Sequence, residues 1–202
     1  MTSFNSKREQ IKAAGIKSFA MFGYHKTTLD DIASMLNMKK NSLYYYFESK
    51  DALFKEIIED TISEHYAKSK EILNSEGTAT EKFFNIIDCL NTFIAEKTTT
   101  YTVKISSYLE ISKVIKQSFP ESNVKEIELI STILKEGIDS GEFIDFDYKT
   151  MAKDIADIIP AIFNYHYINA ESEFVKEVDF NPIISQIKRI ITDILNGIKT
   201  NK

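Results

Sequence analysis

Apolar residues return at the helical interval in almost every stretch of this chain, and little interrupts them. Ile183, Ile187, Ile190, Ile191, Ile194 and Ile198 fall three or four apart, which places them on one face of a helix. Met151, Ile155, Ile158, Ile159, Ile162 and His166 make a second such stripe. Three prolines and six glycines in 202 residues leave few places where the backbone would break the pattern. An all-α fold of about nine helices is therefore expected.

The stops and starts divide the chain. A first helix is expected from Ser6 to Phe22, closed by Gly23. Thr28 then caps a second helix, with Asp31 completing a capping box and Leu29, Ile32, Ala33 and Leu36 turned inward. Asn37 ends it, since Asn tolerates the left-handed conformation. A short third helix covers Lys40 to Phe47, and Ser49 caps a fourth that begins at Lys50. Later helices are expected over 81–96, 102–117, 122–138, 148–169 and 181–198. The stretches "NSEGTAT", "EKTTT", "SFPESN", "DSGEFIDFD" and "AESEFVKEVDFNP" read as connections. Two domains follow: a three-helix unit over 1–48 and a helical body over 49–202.

Charge separates the same two parts. Residues 1–55 hold nine Lys/Arg against five Asp/Glu, a balance of +4, while the remaining 147 hold 16 against 25, a balance of -9. A small basic segment on an acidic body points to a local polyanion contact. The polar start "MTSFNSKREQ" lacks the apolar core of a signal peptide, and Asp154, Asp157 and His166 interrupt the best apolar run. A cytoplasmic protein with no membrane partner is expected. Cys89 is the only cysteine, which excludes an intrachain disulfide or a multi-cysteine metal site. His25, His65 and His166 show no ligand spacing to each other or to Cys89. No nucleophile–base pair or phosphate loop is present either, so neither an enzyme, a metal nor a cofactor is expected.

The stretch "KKNSLYYYFESKDALF", residues 39–54, carries the functional signal. Two short helices joined by a tight turn, the second rich in lysine and hydroxyls, describe a helix-turn-helix. Leu43 and Phe47 would anchor the second helix and leave Lys40, Asn41, Ser42 and Tyr44 outward. Lys40 can reach a guanine edge or a phosphate, and Asn41 suits adenine. Ser42 and the tyrosine hydroxyls can donate to phosphates, and Thr28 and Lys50 sit where they could clamp the backbone. Lys39 and Tyr46 complete the expected DNA-contact set. Double-stranded DNA is the expected partner.

The segment "TTLDDIASMLNMKKNSLYYYFESKDALF" resembles the DNA-binding signature of the TetR (tetracycline-repressor-like) regulators. Thr27, Thr28, Ile32, Ala33, Leu43, Tyr44, Phe47, Lys50 and Leu53 match that pattern in type and spacing, over roughly residues 8–58. There are departures. Asn37 replaces the usual turn glycine, Lys39 stands where a capping Ser is common, and Asn41 replaces a small residue. Asp30 and Asp31 put acid at the start of the second helix, where it suits the helix dipole but repels phosphate.

The resemblance implies a homodimer on a palindromic operator, with the last two long helices as interface and a small-molecule pocket in the body. It also implies repression, relieved by the effector. The body's wealth of Phe and Tyr suggests an apolar or aromatic effector, with Tyr66, Phe93, Ser107, Tyr108, Phe163 and His166 as candidate contacts. The alternative is a helical protein-interaction module that keeps a helix-turn-helix for packing.

Overall fold

The computed structural model describes residues 3–118 and 123–200. Among them run nine α-helices: α1 (Ser3–Phe22), α2 (Leu29–Met35), α3 (Lys40–Tyr44), α4 (Lys50–Leu73), α5 (Ala79–Tyr101), α6 (Ile105–Ser118), α7 (Val124–Asp139), α8 (Tyr148–Ile168) and α9 (Phe180–Ile198). A 3-10 turn, Val175–Glu177, precedes α9. Extended pairing among the described residues is limited to two isolated bridges, Lys104 with Phe174 and Phe143 with Lys199.

The helical pattern of the sequence is the pattern of the fold, with local corrections. Helix α1 begins at Ser3 instead of Ser6. Helix α3 closes at Tyr44, one turn before Phe47, and the chain continues in turns that bond Tyr46 and Phe47 back to the Leu43 carbonyl. The stretch "EKTTT" is no connection, because α5 runs through it to Tyr101. Threonine is a weak helix former, but Thr98 is buried in that helix and tertiary packing outweighs propensity. Residues 119–122 of "SFPESN" lie outside the described residues, and α7 resumes at Val124.

The chain forms two compact units. The first takes in the chain up to Ile62, the stretch from Lys97 through α6, and Glu171–Glu177. Its core joins Ile11, Ala14 and Phe19 of α1, Leu29, Ile32 and Ala33 of α2, Leu43 and Phe47, Leu53, Phe54 and Ile57 of α4, and Val114 of α6. The second unit comprises 63–96, the chain from α7 to Ala170, and 178 onward. In it α7 packs on α8 and α8 on α9, burying Leu129, Ile133, Ile155, Phe163, Ile183 and Ile191 among others.

The isoleucine stripe of α9 serves this core. Ile187, expected to face a partner subunit, is only 1% exposed within the single chain, and Ile183, Ile191 and Ile198 are also buried. Only Ile190 and Ile194 stay half-exposed. The most exposed large apolar residues of this unit lie on α8 instead, where Tyr165 is 63% and Ile168 68% exposed.

Candidate functional site

Local chemistry fixes the α2–α3 pair in space. The Thr28 hydroxyl accepts the Asp31 amide at 3.2 Å, and the Asp31 carboxylate accepts the Thr28 amide at 3.1 Å, which closes the expected capping box. Before it, Gly23 takes φ +82°. The Glu110 carboxylate of α6 accepts the His25 amide at 2.7 Å, tying the α1–α2 turn to α6. After α2, Asn37 adopts φ +51°, as its residue type led one to expect. The Met38 amide then bonds back to the Ala33 carbonyl at 2.9 Å. Lys39 takes the N-cap position of α3 and makes no side-chain cap bond.

On this frame α3 divides cleanly. Leu43 and Phe47 are buried, while Lys39, Lys40, Asn41, Ser42 and Tyr44 are exposed together. Thr28 is exposed beside them. Of the three consecutive tyrosines, Tyr46 turns back: its ring stacks on Phe4 with centroids 4.9 Å apart. Tyr45, outside the expected DNA-contact set, is the outermost at 74% exposure. Its place three residues after Ser42 was the signal, since that spacing continues the outward face of a helix.

Two cations of the expected DNA-contact set have partners inside the protein. Lys40 Nζ lies 2.7 Å from Asp30 Oδ2, and this hydrogen bond raises the lysine pKa above its ordinary value. Lys50 is half-buried, donates to the Tyr24 carbonyl at 2.9 Å and lies 4.4 Å from the centre of the Tyr24 ring. Asp30, Thr28, Lys40, Tyr44, Ser49 and Lys50 together line an open cleft of about 420 Å³.

Arg8 of α1 braces the end of α3, a role that no motif announced. Its guanidinium lies 4.1 Å from the Phe47 ring centre, donates to the Tyr46 carbonyl and pairs with both carboxylate oxygens of Glu56, Nε at 3.0 Å. That pairing holds the Glu56 carboxyl below its ordinary value, with burial opposing.

Residues 11–57, the span of this frame, match the bacterial regulatory proteins of the tetR family. Over that span the chain is similar to the tetR family. The chain is 29% identical over 137 residues to the HTH-type transcriptional regulator YhgD of Bacillus subtilis, covering 67% of this chain and 71% of that one. It is 43% identical over 51 residues to IcaR of Staphylococcus aureus, described as a negative transcriptional regulator of the biofilm operon icaADBC; that match covers 25% of this chain and 27% of the relative. A tetR-family transcriptional regulator from Pectobacterium atrosepticum shares the fold along its length, with a TM-score of 0.71 at 18% identity, over 100% of this chain and 99% of that one.

The candidate effector residues fall into both compact units. Ser107 and Tyr108 belong to the first, and Tyr66, Phe93, Phe163 and His166 to the second. Ser107 is buried, and burial pushes the Tyr108 phenol pKa up against a hydrogen bond with Ser112. In the second unit Phe93 is buried with its ring 5.3 Å from that of His65, and Lys125 lies 5.9 Å from the Tyr66 ring centre. Phe163 packs near Tyr167 and Phe180, and His166 Nε2 sits 2.8 Å from Gln186 Oε1 of α9.

A polar group around His65 escaped the sequence reading, because its members come from separate helices. His65 Nε2 is 3.4 Å from Ser69 Oγ, and its Nδ1 is 3.8 Å from a Glu126 carboxylate oxygen. Burial lowers the His65 pKa and raises that of Glu126, so both favour their neutral forms. Among the described residues no group of His, Cys, Asp and Glu could hold a metal, and no helix is long and apolar enough to cross a membrane.

Proposed function

We propose that this chain is a dimeric, sequence-specific DNA-binding regulator that represses transcription and is released from its operator by a small-molecule effector. The observation that carries the reading is the exposed row Lys39, Lys40, Asn41, Ser42 and Tyr44, standing over a buried Leu43 and Phe47. A helix anchored by one face and polar on the other can enter a major groove without rearranging its own core. In this reading residues 1–48 read DNA, and residues 49–202 hold the effector and the dimer contact.

The roles follow from reach and chemistry. Lys40 and Asn41 meet base edges, while Thr28, Ser42, Tyr44 and Lys39 position the duplex through its backbone. Lys50 can clamp a phosphate while it keeps the Tyr24 carbonyl, since its ammonium carries three donors. Tyr46 acts indirectly, by fixing the end of α3 against Phe4. Repression is favoured by the negative regulation named for IcaR. An effector in the body would act by binding the DNA-incompetent state more tightly, and DNA must then weaken effector binding by the same factor. Tyr66, Phe93, Ser107, Tyr108, Phe163 and His166 are the proposed contacts.

Selection of bound sequences from a random duplex pool tests the reading. A palindrome with half-sites about one helical turn apart, or a simple extension of it, is the expected result. Recovery of unselected sequence from the intact protein would overturn it. Calorimetric titration of a ligand found by thermal-shift screening, with and without that operator, tests the release step; equal affinity in both would rule out induction by that ligand.

A further inference from the structure

The Lys40–Asp30 pair decides what Lys40 can touch. The ammonium carries three donors, and Asp30 uses one of them at 2.7 Å. Both partners are exposed on the same cleft as Thr28 and Tyr44. Asp30 belongs to the first turn of α2, and its own backbone carbonyl accepts the Ser34 hydroxyl at 2.8 Å. Lys40 Nζ also stands 5.9 Å from the Tyr44 ring centre, one helical turn along α3.

A phosphate brought to Lys40 would come close to the Asp30 carboxylate, and like charges at that range repel. A guanine edge would not, because its O6 and N7 are neutral acceptors. The free donors of Lys40 can serve that edge while the Asp30 bond stays in place. The carboxylate moreover offers an acceptor next to a donor. A G·C pair displays the complement in the major groove, guanine acceptors beside the cytosine amino group.

On the reading of this chain as a DNA-binding regulator, we infer that Asp30 is a specificity-determining residue that denies Lys40 to phosphates and directs it to the edge of a G·C pair. Sequence reading alone leaves Lys40 suited to either target. The ion pair separates them, and it makes Asp30 a positioning residue whose removal broadens binding instead of abolishing it.

The test uses the full-length protein, the operator recovered from the duplex pool, and operators changed at single base pairs. Affinity is measured across a range of salt for the unmodified protein, Lys40→Ala, Asp30→Asn and the double variant. Lys40→Ala should erase a preference of about tenfold at one G·C pair and leave the salt slope unchanged. Asp30→Asn should bind mismatched duplexes more tightly, raise the salt slope by about one and shrink that preference, because the freed ammonium now neutralises a phosphate. Asp30→Glu, which keeps the carboxylate, should restore the preference. Asp30 is exposed and outside the Thr28–Asp31 capping box, so thermal melting should be nearly unchanged.

Uniform weakening of all sequences by Lys40→Ala, with a salt slope lower by about one, would overturn the inference. So would an Asp30→Asn protein with unaltered slope and preference. If the unmodified protein selects no sequence at all, the regulator reading falls and this inference falls with it; that result is told apart because it needs no variant.

Discussion

Asn37 takes a left-handed conformation that few side chains accept, and the turn between α2 and α3 depends on it. Asn37→Gly should leave stability unchanged or slightly raised, whereas Asn37→Val should cost roughly 1–2 kcal/mol, since a β-branched residue is strained at positive φ. Urea denaturation of the three proteins measures both. This residue was legible in the sequence because its type alone states the backbone it prefers. The partners of Lys40 and Lys50 were not legible. Asp30 stands ten residues from Lys40 on another helix, and the Tyr24 carbonyl that holds Lys50 is a backbone atom with no residue signature. Arg8 was hidden for the same reason, its carboxylate partner lying 48 positions away. Its effect should show in the acid limb of stability. Glu56 is held below its ordinary value of 4.5, so its pairing stabilises the protein fully above that pH and is lost as pH falls through the lowered value. Arg8→Met should therefore cost about 1 kcal/mol at pH 7, after allowance for partial exposure. The gap should narrow as pH falls toward 3, and denaturation at both pH values checks it.

At the scale of elements, the run Gly137 to Phe143 shows how one small residue sets a helix–loop contact. A Cβ on Gly137 would stand 2.1 Å from Phe143 Cδ2, and Phe143 is only 2% exposed. The Phe143 amide also bonds to the Gly137 carbonyl at 2.9 Å. The ring therefore cannot retreat without breaking the loop after α7. Gly137→Ala should destabilise by roughly 1–3 kcal/mol, although alanine is the better helix former. A variant as stable as the parent in urea would refute the contact. Helix existence was readable throughout the chain, because the 3.6-residue stripes are long and breakers few. Helix ends were less so. The threonine run of α5 reads as a break by propensity and is a helix by packing, with Thr98 buried. The short α3 was recognisable only through its order of charge, hydroxyl and aromatic residues.

For the whole molecule, the α9 stripe looked like a subunit interface, yet Ile187 belongs to the chain's own core. Sequence periodicity reports that a face is buried, but not by what. A dimer contact is better sought on the outer face of α8, where Ala161, Tyr165 and Ile168 follow one another at helical spacing and stay exposed. Tyr165→Glu with Ile168→Glu should give a folded monomer, because the residues they replace stabilise nothing within the chain's own core. An Ile187→Glu protein should instead fail to fold, since it places an unpaired charge in a packed interior. Light scattering at micromolar concentration, with circular dichroism, separates the two outcomes; a double variant that remains dimeric would remove α8 from the interface.

The chain enters its first compact unit three times, with α6 and the stretch Glu171–Glu177 returning to join α1–α3 and the first half of α4. Val114 of α6 completes the core beneath α3, and the Lys104 amide reaches back to the Ala20 carbonyl at 3.0 Å. A single genetic crossover therefore cannot lift this unit out and set it on another body, because the insert would arrive without its later strands of chain. Inheritance of this head as a whole needs several coordinated joints. On the regulator reading proposed above, new operators are more readily reached by exchanging the exposed Lys39, Lys40, Asn41, Ser42 and Tyr44 one at a time, on a frame left where it is.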